Sequence, residues 1–264
     1  MSIEVAVIPA AGRGTRMRPA TRVVPKALIT VVDRPAIQYA VEEAARAGAK
    51  EAVVVVDLDA GHLIAQHFKI GGSLPGLEDI RVRPVVQEEP LGLGHAVYEA
   101  AEMVGDRPFF CLLSDNIVRP GQDVLEEMAG GSNDGVVSVM CLRRYSDEFL
   151  DKYGFVVPAS EIEDGYLDLG GAVEKPGVDK APSNLGLVGR YLFTPEVFSI
   201  LDKTDPGFGG EIQLTDAINE LGRLGRLRGY VAETDLLDTG TPQGLLQATR
   251  VLGSHQFGDE VFEA

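Results

Sequence analysis

A doubly wound α/β fold, with a mostly parallel sheet and a small inserted β-rich lobe, is what this 264-residue sequence predicts, on three observations. Apolar runs of strand length alternate with amphipathic runs of helix length. Those apolar runs lack polar alternation, the mark of strands covered on both faces. From about Tyr145 the regularity loosens into hairpin and loop residues before it resumes.

The elements follow in chain order. Val5 to Ile8 is a short apolar run that leads into a glycine loop. In AIQYAVEEAARAG the apolar positions Ile37, Ala40, Val41, Ala44 and Ala47 recur at helical spacing, with Pro35 suited to the first turn and Gly48 to the stop. EAVVVVD is then a β-branched strand, and strand, helix, strand implies parallel pairing. HAVYEAAEMV reads as a helix, FFCLLSD as a buried strand, DVLEEMAG as a helix and GVVSVMCLRR as a strand. YGFVVPASEIEDGYLDLGG is the hairpin and loop material of the inserted lobe, and NLGLVGRYLFTPEVF resumes strand then helix. No repeat or Pro/Ser-rich linker divides the chain, so residues 1–264 read as one domain. In such folds ligands collect beyond the carboxyl ends of strands, which makes post-strand residues the candidates.

With 45% hydrophobic residues the chain can bury a substantial core. No run of eighteen apolar residues occurs, and Pro9 breaks the first apolar run, which has no basic prefix; neither a membrane span nor a signal peptide is expected. Cys111 and Cys141 sit in apolar stretches and read as reduced core residues, which points to the cytoplasm. A net charge of -16 opposes binding to a nucleic acid polymer or an anionic membrane. Yet Val5 to Leu28 holds five basic side chains and no acidic one, so any polyanionic partner is small and locally captured.

The glycine loop AAGRGTRMRP fails two phosphate-loop patterns. After Gly12 and Gly14 the third dinucleotide-fingerprint place is Met17, and no Lys-Ser/Thr follows the last glycine as a Walker loop requires. Backbone N–H donors reinforced by Arg13, Arg16, Arg18 and Lys26 remain, a set able to hold a triphosphate and stabilise charge in a transition state.

Gly12-Arg13-Gly14-Thr15-Arg16, then Pro19, Thr21, Pro25 and Lys26, resembles the opening signature of the sugar-1-phosphate nucleotidylyltransferases. The likeness continues in order through QEEPLGLGHAV, LLSDN, KYGFV, VEKP, NLGLVGRYLF, GEIQLTDAI and LDTGTPQGL, over almost the whole chain. QEEPLGLGHAV, NLGLVGRY and GEIQLTDAI look most like bacterial UTP–glucose-1-phosphate uridylyltransferases; SDN and LDTGTP look closer to glucose-1-phosphate thymidylyltransferases.

The resemblance implies a Rossmann-like nucleotidyltransferase fold whose sugar-binding portion spans roughly 145–240. It implies attack of a sugar-1-phosphate oxygen on the α-phosphorus of UTP, giving UDP-glucose and pyrophosphate. Such a transfer needs positioning and charge neutralisation and no covalent protein nucleophile. Arg16 and Lys26 match the family's phosphate-binding cations, for the β- and γ-phosphates and the α-phosphate respectively. Ala11, Gly12, Gly14 and Thr15 belong to the nucleotide loop. Asp115 and Asp238, each after an apolar run, match metal-binding aspartates, and hard oxygen ligands favour Mg²⁺ over zinc. A lone post-strand aspartate is ordinarily a turn or cap residue; the two motifs together favour the metal.

Gln87 matches the glutamine that meets the pyrimidine edge, where an amide can donate and accept at once, and Gly92 lets backbone approach the base. Gly154 matches a close approach to the sugar, Glu174 an acceptor for its hydroxyls and Lys175 a catalytic cation at its phosphate. Glu211 and Gln213 stand either at the sugar or at the start of a helix over Gln213 to Leu221. No chemistry is assigned to His95, His62 or His67. A homo-oligomer, dimer or tetramer, is also implied. The sequence departs from the uridylyltransferase pattern at Ala27-Leu28-Ile29-Thr30 and by a shorter stretch between His67 and Gln87. Activation of another sugar or cyclitol phosphate stands as an alternative, as do thymidylyl transfer from dTTP, on SDN and LDTGTP, and a non-catalytic nucleotide-sugar sensor. Retention of Arg16, Lys26, Asp115, Asp238 and Lys175 argues against the sensor.

Overall fold

VAVIP, buried at all five residues, forms strand β1 (Val5–Pro9) in a computed structural model that describes residues 2–69, 74–119, 121–132, 137–234 and 236–262. Three single 3-10 turns, Thr15–Met17, Ala20–Arg22 and Lys26–Leu28, carry the basic loop to a short hairpin, β2 (Thr30–Val31) and β3 (Arg34–Pro35). Helix α1 (Ala36–Arg46) buries the face its spacing predicts, including Ile37, Ala40, Val41 and Ala44, although Pro35 is its cap and not part of its first turn.

There follow β4 (Glu51–Val56), α2 (Gly61–Lys69), β5 (Arg81–Val86), α3 (Leu93–Tyr98), α4 (Ala101–Val104) and β6 (Phe109–Leu112). The single helix expected over HAVYEAAEMV is thus two, broken at Glu99-Ala100. Beyond them lie β7 (Asn116–Val118), α5 (Val124–Gly130), β8 (Ser138–Arg144), β9 (Gly154–Pro158), β10 (Tyr166–Glu174) and β11 (Leu185–Phe193). Then come α6 (Glu196–Leu201), α7 (Leu214–Arg223), β12 (Leu227–Val231), β13 (Leu236–Asp238) and α8 (Pro242–Phe257), with a 3-10 turn at Asp259–Phe262 after it. The strand expected from Gly135 begins outside the described residues.

Among the described residues, nine strands make one sheet in the order β5-β4-β1-β6-β11-β8-β12-β10-β9. The expectation of a mostly parallel sheet needs correction. β5, β4, β1 and β6 pair in parallel, as do β8 and β12, but β11 is antiparallel to both its neighbours and β10 to both of its own. For the β9–β10 pair the cause is connection length, since the link between them is too short for a parallel crossover. The expected inserted lobe has no sheet of its own either, because β10 and β9 extend the main sheet and β9 also touches β11 at Phe155 and Gly186.

Alternate residues of the strands feed two cores. Ala6, Ile8, Val54 and Val56 pack with α1, α2 and α5, and Val5, Val7, Val53 and Val55 with α3, α6 and α7. A third cluster of Val31, Ala36, Ile117, Leu237, Ala248 and Leu252 binds the hairpin, the β7–β13 pair and α8 together. No helix among the described residues is long and apolar enough to cross a membrane.

Candidate active site

The basic loop leaves the carboxyl end of β1 over a cleft of about 610 Å³. Ala11, Gly12, Gly14, Thr15, Lys26, Gln87, Gly92 and Asp115 line it, together with Arg13, Ser114 and Glu211. Gly14 has φ 57, and a Cβ there would stand 2.9 Å from Thr21 Cγ2 and 3.0 Å from Lys26 Cβ, so the loop lies flat on the turn that carries Lys26. The Thr21 hydroxyl pins it by donating to the Gly14 carbonyl at 2.7 Å. Among the described residues no acceptor takes the N–H groups of Ala11, Gly12, Arg13 or Gly14, and Gly12 faces open space. A second groove of about 500 Å³, at Arg143, Arg144 and Thr234, holds none of the expected residues.

Asp115 sits in the turn between β6 and β7, and Asp238 ends β13 directly opposite Asn116. Thr239 ties the two strands, donating from its N–H (2.7 Å) and its hydroxyl (2.8 Å) to the Asp115 carbonyl. The Gly240 N–H donates to Asp238 Oδ1 at 2.7 Å, and the Tyr153 hydroxyl donates to Oδ2 at 3.3 Å. Burial, with the Asp238 charge beside it, holds the Tyr153 phenol above its ordinary range, so it remains a donor at neutral pH. A Cβ on Gly240 would stand 2.8 Å from Asp115 Oδ2, 2.8 Å from Asp238 Oδ1 and 3.0 Å from Arg16 Nη2. Two carboxylates and a guanidinium therefore converge on one point, and the Lys26 ammonium donates to Asp115 Oδ2 beside them.

No group of three or more His, Cys, Asp or Glu side chains converges as a metal cage among the described residues. A pair of carboxylates suits a small hard cation that takes its remaining ligands from phosphate oxygens and water. The donor set fits a divalent metal of that kind.

Behind Asp115 stands a residue that the motifs did not single out. Arg190 is fully buried in the all-buried strand β11 and pairs with Glu43 of α1, Nη2 to Oε2 at 2.7 Å and Nε to both oxygens at 3.0 Å. It also donates to the carbonyls of Leu113 (3.2 Å) and Asn116 (2.6 Å), which bracket Ser114-Asp115. The sequence signal was one arginine in an apolar run, which demands a partner; Glu43, 147 positions away, could not be named from it.

At the other end of the cleft, Gln87 is buried with its Nε2 donating to the Gly92 carbonyl (3.1 Å) and facing His95 Nδ1 at 2.9 Å. Its amide donors are thus spent inside the protein, contrary to the expectation of an amide that donates and accepts at the base. His95, expected without a role, is one of their acceptors. Gly92 (φ 102, ψ -179) is a conformation for glycine alone, and a Cβ would stand 2.8 Å from Glu211 Cβ and 2.9 Å from the Ile212 carbonyl. Ile212 N to Leu91 O (2.7 Å) and Gly94 N to Ile212 O (2.9 Å) lace these segments together. Glu211 therefore lies on the cleft beside Gly92, while Gln213 precedes α7 and donates to Glu211 Oε2 at 3.1 Å.

Gly154, Glu174 and Lys175 do not line this cleft, nor do Arg16 and Asp238. Gly154 pairs with Glu174 across β9 and β10, and Lys175 leaves the strand at φ 45, a left-handed conformation unusual for a lysine. Lys175 Nζ lies 3.4 Å from Glu174 Oε1, with both side chains largely exposed. The link to the carboxylates is Tyr153, whose carbonyl accepts from Lys175 N (3.0 Å) and whose hydroxyl meets Asp238.

Residues 5–254 match the family model described as nucleotidyl transferase. The chain is 36% identical to a UTP–glucose-1-phosphate uridylyltransferase of Staphylococcus saprophyticus, over 99% of this chain and 96% of that protein. It is also 36% identical to the enzyme of that name from Bacillus subtilis, over 94% and 90%. A crystal structure of UDP-glucose pyrophosphorylase complexed with UDP-glucose superposes with a TM-score of 0.88 at 32% identity, covering 96% of this chain and 99% of that one. The UTP-bound UGPase from Acinetobacter baumannii superposes with a TM-score of 0.84 at 33% identity, covering 99% and 98%.

Proposed function

From the premise that the chain belongs to the nucleotidyl transferase family, we propose that it is a UTP–glucose-1-phosphate uridylyltransferase. A phosphate oxygen of glucose-1-phosphate attacks the α-phosphorus of UTP, a P–O bond forms, the bond to the β-phosphate oxygen breaks, and UDP-glucose and pyrophosphate leave. The observation that carries this reading is the meeting of Asp115, Asp238, Arg16 and Lys26 next to a loop of unengaged N–H groups.

The loop from Ala11 to Thr15 cradles the triphosphate, with Arg16 on its β- and γ-phosphates and Lys26 at the α-phosphate, where negative charge moves in the transition state. Asp115 and Asp238 hold Mg²⁺, which when bound neutralises phosphate charge. Gln87 and Gly92 meet the uracil. Gly154, Glu174 and Lys175, within the sugar-binding portion at 145–240, hold the sugar and its phosphate; the exposure of the Glu174 and Lys175 side chains supports this. Residues 1–264 act as one domain in the cytoplasm, as a homo-oligomer; the buried free thiols Cys111 and Cys141 support the reducing compartment.

The test is pyrophosphate release across UTP, dTTP and CTP with glucose-1-phosphate, galactose-1-phosphate and a cyclitol phosphate. UTP with glucose-1-phosphate is expected to be fastest, and only with a divalent cation present. Preference for dTTP would replace the reading by thymidylyl transfer; no release from any pair would replace it by a sensor.

A further inference from the structure

Gln87 is fixed in one orientation by its neighbours. The Gly92 carbonyl can only accept, so the amide atom 3.1 Å from it must be the NH₂ group. That same nitrogen faces His95 Nδ1 at 2.9 Å, so Nδ1 must accept as well, and the ring proton belongs on Nε2, 3.2 Å from Glu99 Oε1. Both amide hydrogens are then consumed within the protein. The carbonyl oxygen of Gln87 has no protein partner among the described residues, yet no buried side-chain N or O among them lacks one. Gln87 Oε1 is therefore not sealed within the protein, and Gln87 lines the open cleft.

We propose that His95 is a positioning residue for base selection: with the Gly92 carbonyl, its Nδ1 locks the Gln87 amide so that the cleft sees an acceptor and no donor. The proposal rests on the reading that Gln87 meets the nucleotide base. An acceptor at that place welcomes the N3–H of uracil or thymine and opposes the N3 lone pair of cytosine. A flipped amide would invert that choice, since its NH₂ group would face cytosine N3. The flip is blocked twice, by carbonyl against carbonyl at Gly92 and by loss of the bond to His95. Glu99 orients the imidazole from one helical turn further on. Specificity against cytosine thus depends on a side chain that never touches the base.

The experiment compares kcat/KM for UTP and CTP in wild type, Gln87→Ala, His95→Phe, His95→Gln and His95→Asn, with glucose-1-phosphate held at saturation. His95→Phe fills the ring's space without an acceptor. His95→Gln carries its amide one bond too far out, and serves if the first variant does not fold. His95→Asn offers an acceptor oxygen near the place of Nδ1. Both loss variants should lower the UTP/CTP ratio about tenfold, the scale of one net hydrogen bond, and His95→Asn should keep it near the wild-type value. The KM for glucose-1-phosphate should not move. If Gln87→Ala collapses the ratio while the His95 variants leave it intact, the positioning role is overturned. Equal losses in all three His95 variants would likewise overturn it in favour of plain packing. A ratio unchanged in Gln87→Ala would instead remove Gln87 from the base, which is failure of the underlying reading.

Discussion

Asp115 and Asp238 differ in how much of each side chain the fold uses. The Asp115 backbone carbonyl holds Thr239 while, among the described residues, its carboxylate hydrogen-bonds only Lys26, whereas both Asp238 oxygens accept bonds, from Gly240 and Tyr153. Asp115→Asn should therefore leave the melting temperature nearly unchanged and depress turnover most at limiting Mg²⁺; Asp238→Asn should lower both. Melting curves beside activity over a Mg²⁺ titration check this, and normal rates at limiting metal in both variants would refute metal binding. Arg16→Ala is expected to reduce kcat by roughly a hundredfold or more, the range for losing a preorganised contact to developing charge. A change in stability with normal specific activity would make Arg16 a surface charge instead. These residues were legible as candidates, because the glycine-arginine loop and each post-strand aspartate sit in motifs that are local in sequence and carry the family resemblance. Tyr153 was not, although its KYGFV context was: nothing local to a tyrosine says that its hydroxyl reaches Asp238.

β11 holds the Asp115 turn in place through Arg190, and this makes the strand more than a wall of the core. Replacing Arg190 by Met leaves Glu43 buried and uncompensated, at a cost of about 3–5 kcal/mol. The double variant Arg190→Met with Glu43→Leu should recover much of that loss, because two apolar side chains need no partner. It should still bind Mg²⁺ more weakly, since the Leu113 and Asn116 carbonyls have lost their donor. Chemical denaturation paired with the same Mg²⁺ titration separates the two effects; full recovery of both would reduce the pair to a stability element. The junction of α3 with the segment before α7 yields a second expectation. Gly92→Ala should spread the Leu91–Ile212 lacing and raise the KM for UTP, with a stability loss of about 1–3 kcal/mol from the forced backbone. An unchanged KM would remove Gly92 from the nucleotide site.

At the scale of the whole molecule, the mixed sheet sets the cleft-facing ends of β1 and β6 and the β9–β10 hairpin, proposed above to hold the sugar, on one framework, with Tyr153 as the bridge. Substrate binding should then stabilise the molecule as a unit. UTP at a hundred times its Kd should add about 2.7 kcal/mol to unfolding, and little when the divalent cation is chelated. A metal-independent shift in melting temperature would contradict the site. The cores give a separate test: burial pushes the Cys111 thiol up to about 12 and Cys141 higher still. Both should resist alkylation in the native protein and react fully once it is denatured; rapid native labelling would show that the sheet opens.

Strand runs, helix faces, the order of motifs and the charge reversal near the N-terminus were determined by the sequence alone, because each depends on neighbours a few residues apart. The interior runs EAVVVVD and FFCLLSD read as buried strands from their β-branched and apolar makeup, and the AIQYAVEEAARAG spacing marks one buried face. Tertiary structure alone decided the reversed direction of β11 and β10, the absorption of the lobe into the main sheet, the Arg190–Glu43 clamp and the His95–Gln87 bond. The reason is physical. Strand order and buried polar pairing are settled by which distant segments can satisfy one another's hydrogen bonds at once, and a chain read in order carries the donors and acceptors without saying which will meet.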